Sequence, residues 1–153
     1  MNIHITDKEL VYNLNQNTLF YMEVASAMYG LKHEGSDTDI LHIYLEGNKN
    51  RQSYLWEHHC LQYKDRENDI DHIYVTLQNF IRGILTGDST LFFEVLWTVE
   101  LAESSDLGWL AALKQSLTTY RVIKSYLGLA KRDLKQWKIG KKRTHFVRGV
   151  FLA

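Results

Sequence analysis

The sequence contains a single cysteine, Cys60, and no proline. One cysteine excludes an internal disulfide, and nothing in the chain indicates a disulfide-stabilised secreted scaffold. There is no apolar run of about eighteen residues, so no transmembrane helix is expected. The N-terminus has no basic region followed by an apolar stretch and does not resemble a signal peptide. We therefore expect a cytoplasmic protein with no membrane partner.

Net charge is also lacking, because 18 Lys and Arg residues balance 18 Asp and Glu residues. The charges are unevenly distributed. Between Lys131 and Arg148, eight basic residues stand against Asp133 alone, which leaves eight minus one, a local charge of +7. A basic segment beside an acidic body suits a polyanionic ligand such as a nucleotide or a nucleic acid. A solvent-exposed helix face is the commoner explanation of a charge run taken alone.

The chain has neither a low-complexity linker nor an internal repeat, so composition marks no domain boundary. Alternating apolar residues predict strands at residues 20–24, 38–45, 58–63 and 70–75, with a polar loop at 64–68 between the last two. Helical spacing predicts helices at 77–85, 91–97, 107–117, 119–137 and 142–151, and a weaker one at 7–14. The predicted fold class is α+β, with a small mixed sheet followed by a helical C-terminal half.

Asp37 and Asp39 are separated by one residue at the start of a predicted strand. Residues i and i+2 of a strand point to the same face, so the two carboxylates can converge. Magnesium is usually bound by one or two carboxylates together with phosphate oxygens and water. The pair is therefore a candidate metal–triphosphate site, although acids beside a strand are common in ordinary turns.

A glycine-containing turn precedes this pair. Ser26 follows a predicted strand and opens a turn that contains Tyr29 and Gly30. Backbone N–H groups at such a strand-to-helix turn, assisted by a serine hydroxyl, can hold a phosphate. Glycine permits a backbone geometry that other residues resist. A plain turn with a helix-capping serine is the alternative explanation.

Together, these two segments resemble the signature of the polymerase-beta-like nucleotidyltransferases. The resemblance is closest to the bacterial and phage predicted nucleotidyltransferases of the RNA-ligase-associated branch. That signature begins Gly-Ser, continues with a Tyr-Gly pair and ends in Ser-Asp-x-Asp. The matching residues are Ser26, Tyr29, Gly30, Ser36, Asp37 and Asp39. Ala25 stands where the signature has glycine, and looser matches extend the resemblance over most of residues 20–151.

The resemblance implies a metal-dependent enzyme that transfers a nucleoside monophosphate from an NTP to an acceptor hydroxyl and releases pyrophosphate. Residues 1–87 would form the catalytic core, and the helical residues 88–153 would pack on it in one compact unit. Magnesium or manganese would be held by Asp37, Asp39 and Asp71, with Asp69 as the alternative third carboxylate. The implied nucleotide and phosphate contacts are Ser26, Tyr29, Gly30, Ser36, Lys142, His145 and Arg148.

The acceptor remains open between RNA, tRNA, a protein and a small molecule. A second hypothesis follows from Ala25: a catalytically weak or inactive member that binds nucleotide or acts as an antitoxin-like partner. A third is a mixed α/β domain in which the motif match is accidental.

Overall fold

The computed structural model describes residues 2–32, 34–45 and 60–135. Within these ranges, five strands form one mixed sheet: β1 (Asn2–His4), β2 (Thr18–Glu23), β3 (Thr38–Tyr44), β4 (Cys60–Asp65) and β5 (Ile70–Thr76). Their order across the sheet is β1-β4-β5-β3-β2. The β3–β5 and β1–β4 pairs are parallel, whereas the β2–β3 and β4–β5 pairs are antiparallel.

Seven α-helices complete the described part of the chain: α1 (Lys8–Gln16), α2 (Leu77–Thr86), α3 (Thr90–Leu96), α4 (Val99–Ala102), α5 (Gly108–Ala112), α6 (Lys114–Leu117) and α7 (Tyr120–Lys135). Local chemistry sets their ends. The Asp7 carboxylate accepts hydrogen bonds from two amides at the start of α1, and the Thr76 hydroxyl accepts one from Asn79 N at the start of α2. Gly87 ends α2 in the left-handed conformation, with φ +70°. A mixed sheet followed by helices confirms the predicted α+β class.

The sheet lies between two apolar clusters, because strand side chains alternate between its faces. One face carries Leu41, Ile43 and Val75, which pack with the helices that follow the sheet. The other carries Tyr44 and Tyr74 among others, which pack against α1. Residues two positions apart in a strand share a face, so the acids that begin β3 and β5 lie on the side of the larger core.

The structure differs from the sequence prediction in several places. Lys64 and Asp65 continue β4, so the loop predicted at 64–68 is a turn at residues 66–69. The Asp65 carboxylate accepts hydrogen bonds from two amides of this turn and tightens it. The helix predicted at 107–117 is interrupted at Leu113, with Leu110 and Leu117 buried on either side. β1 and α4 were not predicted, and the helix predicted at 142–151 lies outside the described residues.

No helix in the described ranges is long and apolar enough to cross a bilayer.

Candidate active site

Three charged residues lie side by side on three neighbouring strands. Asp39 of β3 is the direct partner of Asp71 in the parallel ladder with β5. Asp71 is in turn opposite Lys64 of β4 in the antiparallel ladder. Directly paired residues project their side chains to the same face, with strands about 4.8 Å apart. We call Lys64, Asp71 and Asp39 the charged row.

Lys64 is the cation of this row. Its Nζ lies 3.7 Å from Asp71 Oδ1 and 3.2 Å from Asp69 Oδ1. The hydrogen bond with Asp69 and the negative charges of Asp69, Asp71 and Asp37 raise the pKa of Lys64 above its ordinary value. Asp37 is therefore close enough to the row to act on its cation. The sequence prediction assigned Lys64 to a loop. In the structure β4 includes Lys64, and the pairing of β4 with β5 places this residue opposite Asp71.

The two candidates for the third carboxylate occupy different positions. Asp71 is within β5, next to Asp39. Asp69 lies in the turn before β5, has φ +54° and has a side chain that is 70% exposed. Aspartate tolerates this left-handed conformation better than most residues do. The register thus places Asp71, and not Asp69, beside Asp39, while Asp37 precedes the first residue of β3.

The signature turn, residues 25–30, begins next to the charged row. The amide of Val24 donates a hydrogen bond to the Asp39 carbonyl at 2.9 Å. Ala25, where the signature has glycine, has φ +59°, and Gly30 has φ +63°. The helix of the predicted strand-to-helix turn is a single 3₁₀ turn, Ala27–Tyr29, with Ser26 directly before it. Gly30 ends the turn after three residues because its left-handed backbone cannot continue the helix.

The amides of the signature turn are partly used within it. The Ser26 carbonyl accepts hydrogen bonds from Tyr29 N at 3.3 Å and from Leu31 N at 2.9 Å, and Gly30 N donates to the Ala27 carbonyl at 3.0 Å. These bonds fix the shape of the turn.

Tyr29 connects the turn to the helical half. Its hydroxyl donates a hydrogen bond to the Glu94 carboxylate of α3. The Tyr126 hydroxyl donates to the other oxygen, Oε1, at 2.9 Å. Glu94 is buried, and a buried carboxylate requires such partners. In the sequence, Glu94 is a single acid inside the apolar run of α3, and it was not among the predicted site residues.

The remaining candidates are Ser36 and three residues near the C-terminal end of the sequence. Ser36 follows Gly35, which has φ +81°, in the segment that leads to Asp37. Lys142, His145 and Arg148 lie outside the described residues, and their phosphate-binding roles stay predictions.

A cavity of about 1100 Å³ borders all three residues of the charged row, together with Gln62 and Ile73. β1 pairs with residues 60–62 of β4, so the Lys64 end of β4 extends beyond it. The cavity continues past this end to Lys8 and Tyr12 of α1. Asp37 and the signature turn do not line it.

The donor set of the row suits a hard divalent cation. Among the described residues, no group of three or more His, Cys, Asp and Glu side chains is arranged to hold a metal ion by itself. Asp39 and Asp71 nevertheless provide two adjacent carboxylates, and magnesium often uses only one or two, with phosphate oxygens and water as its other ligands. The Lys64 ammonium lies 3.7 Å from Asp71 Oδ1, so a positive charge already lies beside this carboxylate. The residues present therefore fit a metal that binds together with a nucleotide.

A family model described as the RNA repair pathway DNA polymerase beta family matches residues 3–151. The chain belongs to this family. Membership in the RNA repair pathway DNA polymerase beta family confirms the resemblance to polymerase-beta-like nucleotidyltransferases and indicates a nucleotidyltransferase-like function. Comparison with curated proteins and with solved structures gives no match.

A pair of histidines lies on the opposite face of the same strands. His42 Nε2 is 2.9 Å from His72 Nδ1, and His42 stacks on Tyr74 with 4.5 Å between ring centroids. Burial and the neighbouring His72 lower the pKa of His42 to about 4. Burial also lowers the pKa of His72, against the opposing charges of Asp65 and Asp71. Both rings are therefore neutral in the native protein at pH 7.

Proposed function

We propose that this protein transfers a nucleoside monophosphate from an NTP to an acceptor hydroxyl and releases pyrophosphate. The observation that carries the proposal is the direct pairing of Asp39 with Asp71, beside a signature turn bonded to the same strand through Val24. Membership in the RNA repair pathway DNA polymerase beta family supports the same chemistry.

In the proposed reaction, the acceptor oxygen forms a bond to the α-phosphorus, and the bond from that phosphorus to the α–β bridging oxygen breaks. Pyrophosphate leaves with the electron pair. Asp71 accepts the proton of the acceptor hydroxyl and passes it to water. Asp37, Asp39 and Asp71 would hold magnesium or manganese, which supplies positive charge against the triphosphate and the reacting oxygens.

The proposed phosphate contacts come from the first half of the signature turn. Because the amides of Tyr29, Gly30 and Leu31 close the turn itself, the β- and γ-phosphates are assigned to the Ser26 hydroxyl and the amides of Ala27 and Met28. Positioning and charge neutralisation then account for the rate, and no covalent enzyme intermediate is required.

The test uses NTPs labelled in two positions, with magnesium or manganese, and separate acceptors: RNA, tRNA, protein and small molecules. We expect label from the α-phosphate on one acceptor and label from the γ-phosphate in pyrophosphate. Label from the γ-phosphate on the acceptor would identify phosphoryl transfer instead and would reject the proposal.

One observation favours the second candidate, a weak or inactive member that binds nucleotide. Ala25 holds a left-handed conformation at the position where the signature has glycine. NTP binding without transfer to any acceptor would support this candidate, whereas transfer by the wild-type protein would exclude it.

A further inference from the structure

The ion pairs of Lys64 hold a cation in the charged row but contribute little to stability. Its contacts with Asp69 and Asp71 are made by side chains that are about half exposed or more, with Lys64 itself at 49%. Exposed ion pairs contribute little to stability, because water screens the attraction and two side chains lose freedom. What matters for the site is that these contacts keep a positive charge beside the Asp71 carboxylate.

We propose that Lys64 competes with the divalent cation for Asp71, so that the site takes up a metal ion mainly together with a nucleotide. This inference rests on the proposed function, because it concerns the same carboxylates. The ammonium stays beside Asp71 until the metal and the nucleotide arrive, and the α-phosphate of the nucleotide then offers Lys64 a new partner.

The geometry makes this exchange simple. Lys64 is directly opposite Asp71, so its stem starts in the row and its ammonium lies on the carboxylate face. The same ammonium is also bound to Asp69, in the turn outside the row, at the shorter distance of 3.2 Å. Rotation of the flexible side chain can release Asp71 while Asp69 keeps the cation nearby. The exchange therefore needs no movement of the strands.

The electrostatics favour competition over simultaneous binding. An ammonium held at 3.7 Å from Asp71 Oδ1 would repel a divalent ion bound to the same carboxylate. Coulomb repulsion between charges of +2 and +1 that are about 5 Å apart would lower metal affinity roughly tenfold, even with the dielectric constant of water. Once the Lys64 ammonium has moved away from Asp71, it lowers metal affinity by less than this factor.

The experiment titrates Mn²⁺ alone, without nucleotide, into the wild-type protein, Lys64→Met and Lys64→Arg. We expect Lys64→Met to bind Mn²⁺ roughly tenfold more tightly than wild type at low ionic strength, and Lys64→Arg to resemble wild type because it keeps the charge. High salt should reduce the difference in Mn²⁺ affinity between Lys64→Met and wild type, since salt screens exposed charges. Adding a non-hydrolysable NTP should raise Mn²⁺ affinity more in the wild type than in Lys64→Met.

Lys32→Met is the matched control. It removes one positive charge from a lysine that pairs with Glu23 and Thr38, outside the charged row, so Mn²⁺ affinity should stay at the wild-type value. Thermal unfolding checks that each variant is folded. The inference would be overturned if Lys64→Met bound Mn²⁺ no more tightly than wild type, or if Lys32→Met gained as much Mn²⁺ affinity as Lys64→Met. It would also be overturned if neither wild type nor Lys64→Met bound Mn²⁺.

The two proposals fail in different ways. If wild type transfers the nucleotide label and Lys64→Met has unchanged Mn²⁺ affinity, only the competition by Lys64 is rejected. If wild type transfers no label to any acceptor, the proposed function is rejected, whatever the metal affinities are.

Discussion

The hydroxyl of Tyr29 donates a hydrogen bond to the carboxylate of Glu94, a residue 65 positions further along the chain. Tyr29 belongs to the signature turn and Glu94 to the helical half, where Tyr126 bonds the second carboxylate oxygen. The position of the turn therefore depends on α3 and α7. Glu94 acts on the turn through Tyr29 and does not need to contact a ligand itself.

Tyr29→Phe should weaken both the fold and nucleotide binding. The substitution removes one hydrogen bond to a buried carboxylate, for which we expect a loss of about 1.5–3 kcal/mol in the free energy of unfolding. Urea unfolding and calorimetric titration with an NTP measure the two effects. Tyr120→Phe is the control, because Tyr120 is 75% exposed. Unchanged nucleotide affinity in a destabilised Tyr29→Phe would limit this bond to a structural role.

Ala25→Gly should stabilise the protein. A left-handed conformation costs an L-residue about 1–2 kcal/mol, and glycine avoids this cost, although its greater chain entropy offsets about 0.5–1 kcal/mol. We expect the free energy of unfolding to rise by about 1 kcal/mol or less, and NTP affinity to rise because a Cβ beside the proposed phosphate site is removed. Ala27→Gly, in the 3₁₀ turn without a positive φ, should destabilise instead. A loss of stability in Ala25→Gly would contradict this account.

The histidine pair should make the fold sensitive to mild acid. The pKa of His42 falls from 6.5 to about 4 on folding, so the unfolded chain takes up a proton at a pH where the native protein does not. The contribution of the neutral His42 to the free energy of unfolding is fully present above pH 6.5. It is lost as the pH falls toward 4, by about 3 kcal/mol in total. Urea unfolding at several pH values between 7.5 and 4.5 measures the slope of the unfolding free energy against pH.

His42→Gln should flatten that slope, whereas His4→Gln, which removes a histidine of β1, should leave it unchanged. An identical pH dependence of wild type and His42→Gln would show that other groups are responsible.

Substitutions in the charged row should separate catalysis from folding. Asp39→Asn and Asp71→Asn should each lower label transfer by at least about a hundredfold, because the proposed cation and proton acceptor are lost. Asp69→Asn should lower transfer by less than about tenfold, since Asp69 lies in the turn outside the row. Circular dichroism checks that each variant is folded. Should Asp69→Asn lose as much transfer as Asp71→Asn, the third carboxylate would have to be reassigned.

The sequence predicted local features well. The bounds of β3 and β5 were predicted to within one residue, because apolar alternation marks them, and the end of α2 follows from Gly87. Fold class and family were both confirmed. These features depend on neighbours in the chain, which sequence patterns report directly.

Long-range pairing could not be predicted in the same way. A register slip of one residue between β3 and β5 would turn Asp71 to the other face of the sheet, and nothing local in the sequence excludes it. Lys64 looked like part of a loop, because the polar residues around it are typical of a turn. The bond from Tyr29 to Glu94 requires the packing of the helices on the sheet, which local patterns do not encode.

The hydrogen bond from Val24 N to the Asp39 carbonyl has a consequence for how the molecule can move. It joins the start of the signature turn to the strand that carries Asp39, so a movement of the turn away from β3 would have to break this bond. A nucleotide and its cation would then meet a preassembled pair of elements, without an opening motion between them. The turn at residues 66–69, by contrast, borders the cavity through Arg66 and Glu67, so its side chains can change position without moving the paired strands.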